Sequence, residues 1–289
     1  MAEAQEVLAG VTVVRTPAAL RAVIAQWRQA GDRVGLVPTM GALHQGHVSL
    51  VEVARQQAQR VVLTIFVNPL QFGPTEDLDK YPRQLLADCA LAAAHGVDAI
   101  FAPAADAIYP PGFVTHVTVD DLTVGLCGQT RPGHFRGVTT VVLKLLNLAM
   151  ADVAVFGQKD WQQLQVIAQM ARDLDHPTAV VGAPIVREAS GLALSSRNVY
   201  LSADERSRAA AIYATLVALR QRVRAGEQDV AVLQRDFAES MAAAGGRIDY
   251  AEVVEPQRLT PLTHLAGPAQ MIVAVWFGPA RLLDNLALC

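Results

Sequence analysis

The sequence predicts an α/β protein built on a parallel sheet, followed by a smaller α+β domain. Three observations carry this. Short β-branched runs alternate with longer amphipathic segments over the first two-thirds of the chain, the pattern of strands joined by crossover helices. One run, Val61–Val67, is almost wholly apolar, as a strand covered by helices on both faces must be. Beyond Pro184 the order changes to two alanine-rich helical stretches and then three strand patterns.

Taken in order, the strands are read at 34–37, 61–67, 99–101 and 153–156, with helices over 83–95 and 138–150 as crossovers and a further strand near 178–181. The second part holds helices at 203–225 and 229–244 and strands at 248–254, 271–277 and 281–288. The expected boundary follows residue 183, giving domains 1–183 and 184–289. Pro184 and Gly191 make the connection partly stiff and partly free, which suits a C-terminal lid domain that swings over the nucleotide and equally an ordinary interdomain linker. No internal repeat or low-complexity tract interrupts the pattern.

The densest chemistry lies directly after the first of these strands, in Pro38-Thr39-Met40-Gly41-Ala42-Leu43-His44-Gln45-Gly46-His47. Gly41 and Gly46 permit close backbone approach, and a helix can begin near Gly46. Its first N–H groups and positive dipole end suit an anion, and each imidazole can donate to a phosphate oxygen. Two histidines at this spacing can also ligate a metal, but no neighbouring Cys, Asp or Glu completes a set. Two other clusters supply donors: Phe156-Gly157-Gln158-Lys159-Asp160 and Leu194-Ser195-Ser196-Arg197-Asn198. A triphosphate needs several donors from different loops, and Lys159 offers a point charge, Arg197 a planar fork, and Ser195 and Ser196 hydroxyls. Taken singly, Lys159 reads as a solvated lysine and the serines as turn or cap residues.

With Phe66-Val67-Asn68-Pro69-Leu70-Gln71-Phe72, Tyr81-Pro82-Arg83, Arg131-Pro132-Gly133-His134-Phe135-Arg136-Gly137-Val138, Gly157 to Gln163, Ser195 to Leu201 and Arg281-Leu282-Leu283-Asp284-Asn285, the chain resembles the pantoate:β-alanine ligases, nearly end to end. These belong to the nucleotidyltransferase superfamily with the His-x-Gly-His loop. The resemblance implies a Rossmann-like nucleotidyltransferase domain, ATP as co-substrate with Mg2+, and (R)-pantoate and β-alanine as the acid and amine joined through a pantoyl adenylate. The product serves coenzyme A biosynthesis. It also implies a homodimer.

Carried over position by position, His44, His47, Lys159, Ser195, Ser196 and Arg197 become the catalytic set, with His47 described in the family as a proton donor, where an imidazole can either transfer a proton or only hydrogen-bond. Pro38, Thr39, Met40, Gly41, Ala42, Leu43, His44 and Gln45 line the nucleotide. Gly157, Gln158, Lys159 and Asp160 follow it, with Gly157 and Asp160 at the ribose, the Val186 backbone at adenine, and Leu194 beside Ser195 to Arg197. Gln71 and Gln163 hold pantoate, and Gln71 also meets β-alanine. Neutral amides suit a hydroxy acid, and Gln163, three residues after Asp160, faces the same side of a helix beginning there. Gln45, Gln158 and Ser190 stand where the family more often has acidic residues. None carries a mechanistic role assigned above, and Ser190 can cap the same turn. Asp77, Asp79 and Asp88 read as solvated surface, so no protein ligand for Mg2+ is named.

Composition narrows the class. The 289 residues are 52% hydrophobic, enough for two cores. Lys and Arg number 24 against 27 acids, a formal charge of −3, which gives no general attraction to nucleic acid. Cys89, Cys127 and Cys289 have no metal-ligand spacing and no even disulfide count, fitting a reducing compartment. Glu3 and Glu6 stand where a basic leader would, and no apolar stretch reaches membrane-spanning length, so a cytoplasmic protein without a membrane partner is expected. Two other functions stay open: a different adenylate-forming enzyme on the same fold, and a nucleotide-binding regulator without activity. The first would replace Gln71 and Gln163; the second would lose a phosphate donor.

Overall fold

The apolar runs that read as strands do pair, and they pair in parallel. In a computed structural model that describes residues 5–74, 76 and 78–289, the chain divides into two compact units. One comprises the residues up to Gly157 together with Val166–Ala183; the other comprises Gln158–Gln165 together with Pro184–Cys289.

The first unit contains β1 (Gln5–Leu8), β2 (Val11–Val14), α1 (Pro17–Gln29), β3 (Val34–Thr39), α2 (Gln45–Arg55), β4 (Arg60–Ile65), α3 (Leu85–Ala94) and β5 (Ala99–Phe101). The short helices α4 (Ala105–Ile108) and α5 (Cys127–Thr130), then α6 (His134–Ala149), β6 (Val153–Gly157) and β7 (Ala179–Ala183) complete it. Among the described residues these strands form one seven-stranded sheet ordered β1-β2-β5-β4-β3-β6-β7. Only β1 and β2 run antiparallel; the other neighbours are parallel. Val61, Val62 and Leu63 of β4 are fully or almost fully buried, as the uninterrupted apolar run requires. Because parallel strands end on the same side of a sheet, the turns after β3 and β4 open along one edge. The first hairpin and α1 were not read from the sequence. Gln5–Leu8 is mostly exposed and too short to show a period, while α1 is started by Thr16, whose hydroxyl accepts from the Ala19 N–H.

The second unit carries helices α8 (Ala203–Ala209), α9 (Ala211–Arg224) and α10 (Val230–Ala243), which accompany an antiparallel sheet of β8 (Arg247–Val254), β9 (Gln270–Phe277) and β10 (Ala280–Ala287), ordered β10-β9-β8. Its core joins Leu216, Leu233, Phe237 and Met241 to Val273, Val275 and Phe277. The single helix expected over 203–225 is two helices meeting at Ala210, the first begun by a reciprocal cap between Ser202 and Glu205.

The Gln158–Gln165 segment belongs with this unit for a visible reason. It opens with a 3₁₀ turn, Gln158–Asp160, and leads into α7 (Trp161–Asp173). Asn285 Nδ2 donates to the carbonyls of Gln158 and Lys159 at 2.9 and 3.0 Å, and Trp161 Nε1 donates to the Pro256 carbonyl at 2.8 Å.

Candidate active site

In the first unit the site begins at the end of β3. Thr39 ties it to β4, its N–H donating to Thr64 Oγ1 at 3.2 Å and its hydroxyl to the Thr64 carbonyl. The chain then turns through Gly41 at φ +83°, where a side chain would press on Asp88 and Ile65 at 3.0 Å. Asp88 is the surprise here. Read from the sequence as solvated surface, it is 1% exposed. Its carboxylate accepts from the Ala42 N–H at 3.0 Å, the Leu43 N–H at 2.8 Å and Gln84 Nε2 at 3.2 Å. An acidic residue on a helix with apolar neighbours reads as an exposed face; only the tertiary pairing shows that it is the buried acceptor for the loop's backbone. Asp79 is exposed, and Asp77 lies outside the described residues.

The helix start at Gly46 is a second correction. The free N–H groups expected for an anion are engaged within the loop itself. Gly46 N–H donates to His44 Nδ1 at 3.1 Å, His44 N–H to His47 Nδ1 at 3.3 Å, and His47 N–H to the His44 carbonyl at 2.8 Å. The two imidazoles form the capping box of α2. This has a chemical consequence. A backbone N–H can only donate, so each Nδ1 must accept and the neutral rings carry their protons on Nε2. A second proton on either ring would break its cap. The rings lie 4.2 Å apart between centroids and are tilted by 40°, two N–H donors on one loop.

After β4, a 3₁₀ turn at Pro69–Gln71 is capped by Asn68, whose Oδ1 accepts from the Leu70 N–H at 3.3 Å. Gln71 Nε2 lies 3.1 Å from Met40 Sδ, so pantoate's expected residue and the histidine loop adjoin. The Arg131-Pro132-Gly133-His134-Phe135 motif clamps this turn. His134 Nδ1–H donates to the Gln71 carbonyl at 2.8 Å while its Nε2 accepts from Arg131 at 3.1 Å, and Arg131 grips Glu76 through both oxygens at 2.7 and 2.6 Å. Burial alone would raise the Glu76 carboxyl, but the hydrogen bonds and charge of Arg131 outweigh it and hold it below the usual range. Gly137 lets α6 approach, since any side chain there would collide with the Leu70 carbonyl.

The second unit holds the other expected donors. Lys159, with its side chain 19% exposed, lies 3.5 Å from Asp160, on the turn that Asn285 supports. Asn285 is itself held by Gln270 at 2.7 Å. Gln163 follows on α7, half-buried. Ser195 Oγ accepts from the Arg197 N–H at 3.2 Å and starts the 3₁₀ turn Ser196–Tyr200. Buried Asn198 donates to Glu188 at 3.1 Å and to the Ala193 carbonyl, and Arg206 grips Glu188 from solvent at 2.8 Å. Val186 accepts from the Leu194 N–H at 3.0 Å. Ser190 does cap its turn, toward the Leu192 N–H at 3.4 Å. Arg187 forms a bidentate pair with buried Asp284 at 2.6 and 2.8 Å and stacks on Tyr213. Within the first unit the structure thus brings His44, His47, Met40 and Gln71 to one sheet edge. Within the second, Lys159 and Asp160 share one turn and Ser195 to Arg197 another.

A family model described as pantoate-beta-alanine ligase matches residues 12–287. The chain belongs to this family. It is 50% identical over 277 residues to the pantothenate synthetase of Moorella thermoacetica, covering 96% of this chain and 98% of that one. It is 51% identical to that of Dinoroseobacter shibae, with 96% and 99% covered. The crystal structure of pantothenate synthetase from Thermus thermophilus superposes with a TM-score of 0.90 at 48% identity, covering 96% and 99%. That of the pantoate-beta-alanine ligase from Francisella tularensis, described as complexed with beta-gamma ATP and beta-alanine, gives 0.80 at 31%, covering 96% and 97%. The α/β sheet domain and smaller α+β domain expected from the sequence are those of this ligase family.

Proposed function

We propose that this chain condenses (R)-pantoate with β-alanine at the expense of ATP, releasing AMP and pyrophosphate, and so makes pantothenate for coenzyme A biosynthesis. The observation that carries the reading is the pair of imidazoles whose Nδ1 atoms cap α2, because it turns both Nε2–H groups into fixed donors. A carboxylate is a poor acyl donor, since its leaving group would be oxide. A pantoate carboxylate oxygen therefore attacks the α-phosphorus and the bond to pyrophosphate breaks, giving pantoyl adenylate. The β-alanine amine then attacks the acyl carbon, and AMP leaves with the bridging oxygen. In such a transfer the protein supplies position and charge.

His44 and His47 donate to oxygens around the α-phosphorus and the departing pyrophosphate. Lys159 bridges the phosphates, and Ser195, Ser196 and Arg197 hold the β- and γ-groups. Pro38 to Gln45, Gln158 and Leu194 line the nucleotide, with Gly157 and Asp160 at the ribose and the Val186 backbone at adenine. Gln71 and Gln163 hold pantoate, and Gln71 then meets β-alanine. Residues 1–183 serve ATP and pantoate binding and 184–289 act as the lid. The likeness to a relative complexed with beta-gamma ATP and beta-alanine supports the substrate set.

Among the described residues no three His, Cys, Asp or Glu side chains are grouped to hold a metal. We infer that Mg2+ would arrive on the triphosphate, held mainly by the phosphates, and neutralise part of their charge. No described helix is long and apolar enough to cross a membrane. A cytoplasmic homodimer is the proposed form, with no nucleic-acid partner. Product analysis with ATP, pantoate and β-alanine, each omitted in turn, tests the reading. Pantothenate and AMP should form only with all three, and turnover with another hydroxy acid in place of pantoate would assign the chain to a different substrate.

A further inference from the structure

We propose that Asn68 and Tyr109 fix the side-chain amide of Gln71 with its carbonyl turned inward and its NH2 outward, so that Tyr109 is a positioning residue for a substrate presenting an acceptor oxygen to Gln71. The inference rests on the reading of Gln71 as a pantoate-binding residue.

The amide order follows from partners that have only one hydrogen-bonding role. Asn68 is 1% exposed. Its Oδ1 accepts from the Leu70 N–H at 3.3 Å and the Tyr109 hydroxyl at 2.8 Å, and its Nδ2 donates to the Gly137 carbonyl at 3.1 Å. A backbone N–H cannot accept and a carbonyl cannot donate, which sets the order of the Asn68 amide, and of the two donors on its oxygen the Tyr109 hydroxyl at 2.8 Å is the closer, the Leu70 N–H lying at 3.3 Å. The second Nδ2 hydrogen is then directed at Gln71 Oε1, 3.0 Å away. Gln71 must meet that donor with its oxygen. Its Nε2 is left facing Met40 Sδ at 3.1 Å, a weak acceptor that engages one hydrogen of two.

Tyr109 completes the chain of bonds from outside. Its ring lies against Phe113 at 5.0 Å and Phe66 at 6.1 Å between centroids, which fixes where its hydroxyl can reach. Burial pushes its phenol far above the ordinary range, so it remains a donor at every working pH. The main chain of Gln71 is held independently by His134. With both backbone and amide set, Gln71 offers hydrogen to its ligand, and the matching group is a hydroxyl or carboxylate oxygen of pantoate.

A double-mutant cycle on the intact enzyme tests this. Tyr109→Phe keeps the ring and removes the donor. It should raise the KM for pantoate about 3- to 10-fold, the size of one lost hydrogen bond, and leave kcat and the KM for ATP within about twofold. In a Gln71→Ala background the same change should have no further effect, since Tyr109 acts through Gln71. An effect that persists in that background, or no effect in the wild type, overturns the proposal. If Gln71→Ala leaves pantoate saturation untouched, the assignment of pantoate to Gln71 fails instead. The amide order is then judged by the Gln71 side-chain NH2 resonances, identified by their loss in Gln71→Ala. They should be sharp in the wild type and exchange-broadened in Tyr109→Phe, and identical pairs in both would refute it.

Discussion

In the loop from Thr39 to His47 the backbone is held by the buried Asp88 carboxylate and two half-buried imidazoles, whereas the turn from Ser195 to Asn198 is tied through buried Asn198 to Glu188, whose ion pair with Arg206 is open to solvent. Asp88 takes the Ala42 and Leu43 N–H groups, and the two imidazoles take those of His44 and Gly46. Asn198 is tied to Glu188, which in turn is gripped by Arg206 with its side chain 49% exposed. Buried, fully matched networks rigidify, and exposed pairs contribute little and yield to salt. The histidine loop is therefore the more firmly held of the two, as its proposed contact with the reacting atoms requires, and the serine turn, proposed to hold the β- and γ-phosphates, depends in part on an exposed pair that salt can weaken.

The largest effect expected from this contrast is at the histidines. His44→Ala with His47→Ala should lower pantoate-dependent ATP–pyrophosphate exchange by roughly 10²-fold or more, and remove the cap of α2 at a cost of about 1 kcal/mol. Asparagine in place of either histidine restores an acceptor for the cap but no donor at the Nε2 position. The Asn variants should recover thermal stability without recovering exchange. Recovery of both together would mean that the imidazoles matter only as caps.

Asp88→Asn comes next. It sets an NH2 against a backbone N–H in a buried site, so exchange should fall by about 10-fold or more through the displaced loop, with a loss of about 1–3 kcal/mol for the orphaned group. Stability measured by denaturant and exchange measured at saturating ATP should fall together. Wild-type exchange in a folded Asp88→Asn protein would detach the loop's order from its chemistry.

Much of this was legible beforehand. The Val61–Val67 run gave the parallel sheet because a strand covered on both faces has no polar alternation to hide it, although the strand itself ends at Ile65. The histidine loop, Gln71, Lys159 and the serine turn are found by motif because their residue types are unusual together. The supports are not. Asp88, Tyr109 and Asn285 each act across 41 to 126 positions of sequence separation, and nothing local distinguishes a buried acceptor from a solvated one. Asn68 and Asn285 did stand inside the quoted motifs, which was the one signal available. The capping use of His44 and His47 was hidden because imidazole is not an ordinary N-cap residue.

The serine turn should respond more gently. Glu188→Gln or Arg206→Ala should raise the KM for ATP about 3-fold, more at low salt than at high, with kcat little changed. A drop in kcat as large as that of Asp88→Asn would erase the distinction between the two loops.

The smallest effect concerns pH. The Glu76 carboxyl is lowered in the folded state, so its bond to Arg131 stabilises the protein above the ordinary carboxylate range and is lost as pH falls through the lowered value. Glu76→Gln should melt about a degree or two below the wild type at neutral pH and converge with it under acid conditions. A constant difference across pH would remove the charge from the clamp.

The central claim, that the histidine loop serves adenylate formation, is tested most directly by rapid quench with ATP and pantoate in the absence of β-alanine. About one equivalent of pyrophosphate per active site should appear, with an acyl adenylate retained on the enzyme, and that burst should be lost in the His44 and His47 variants. Pyrophosphate that appears only after β-alanine is added, or ADP and phosphate in its place, would contradict it.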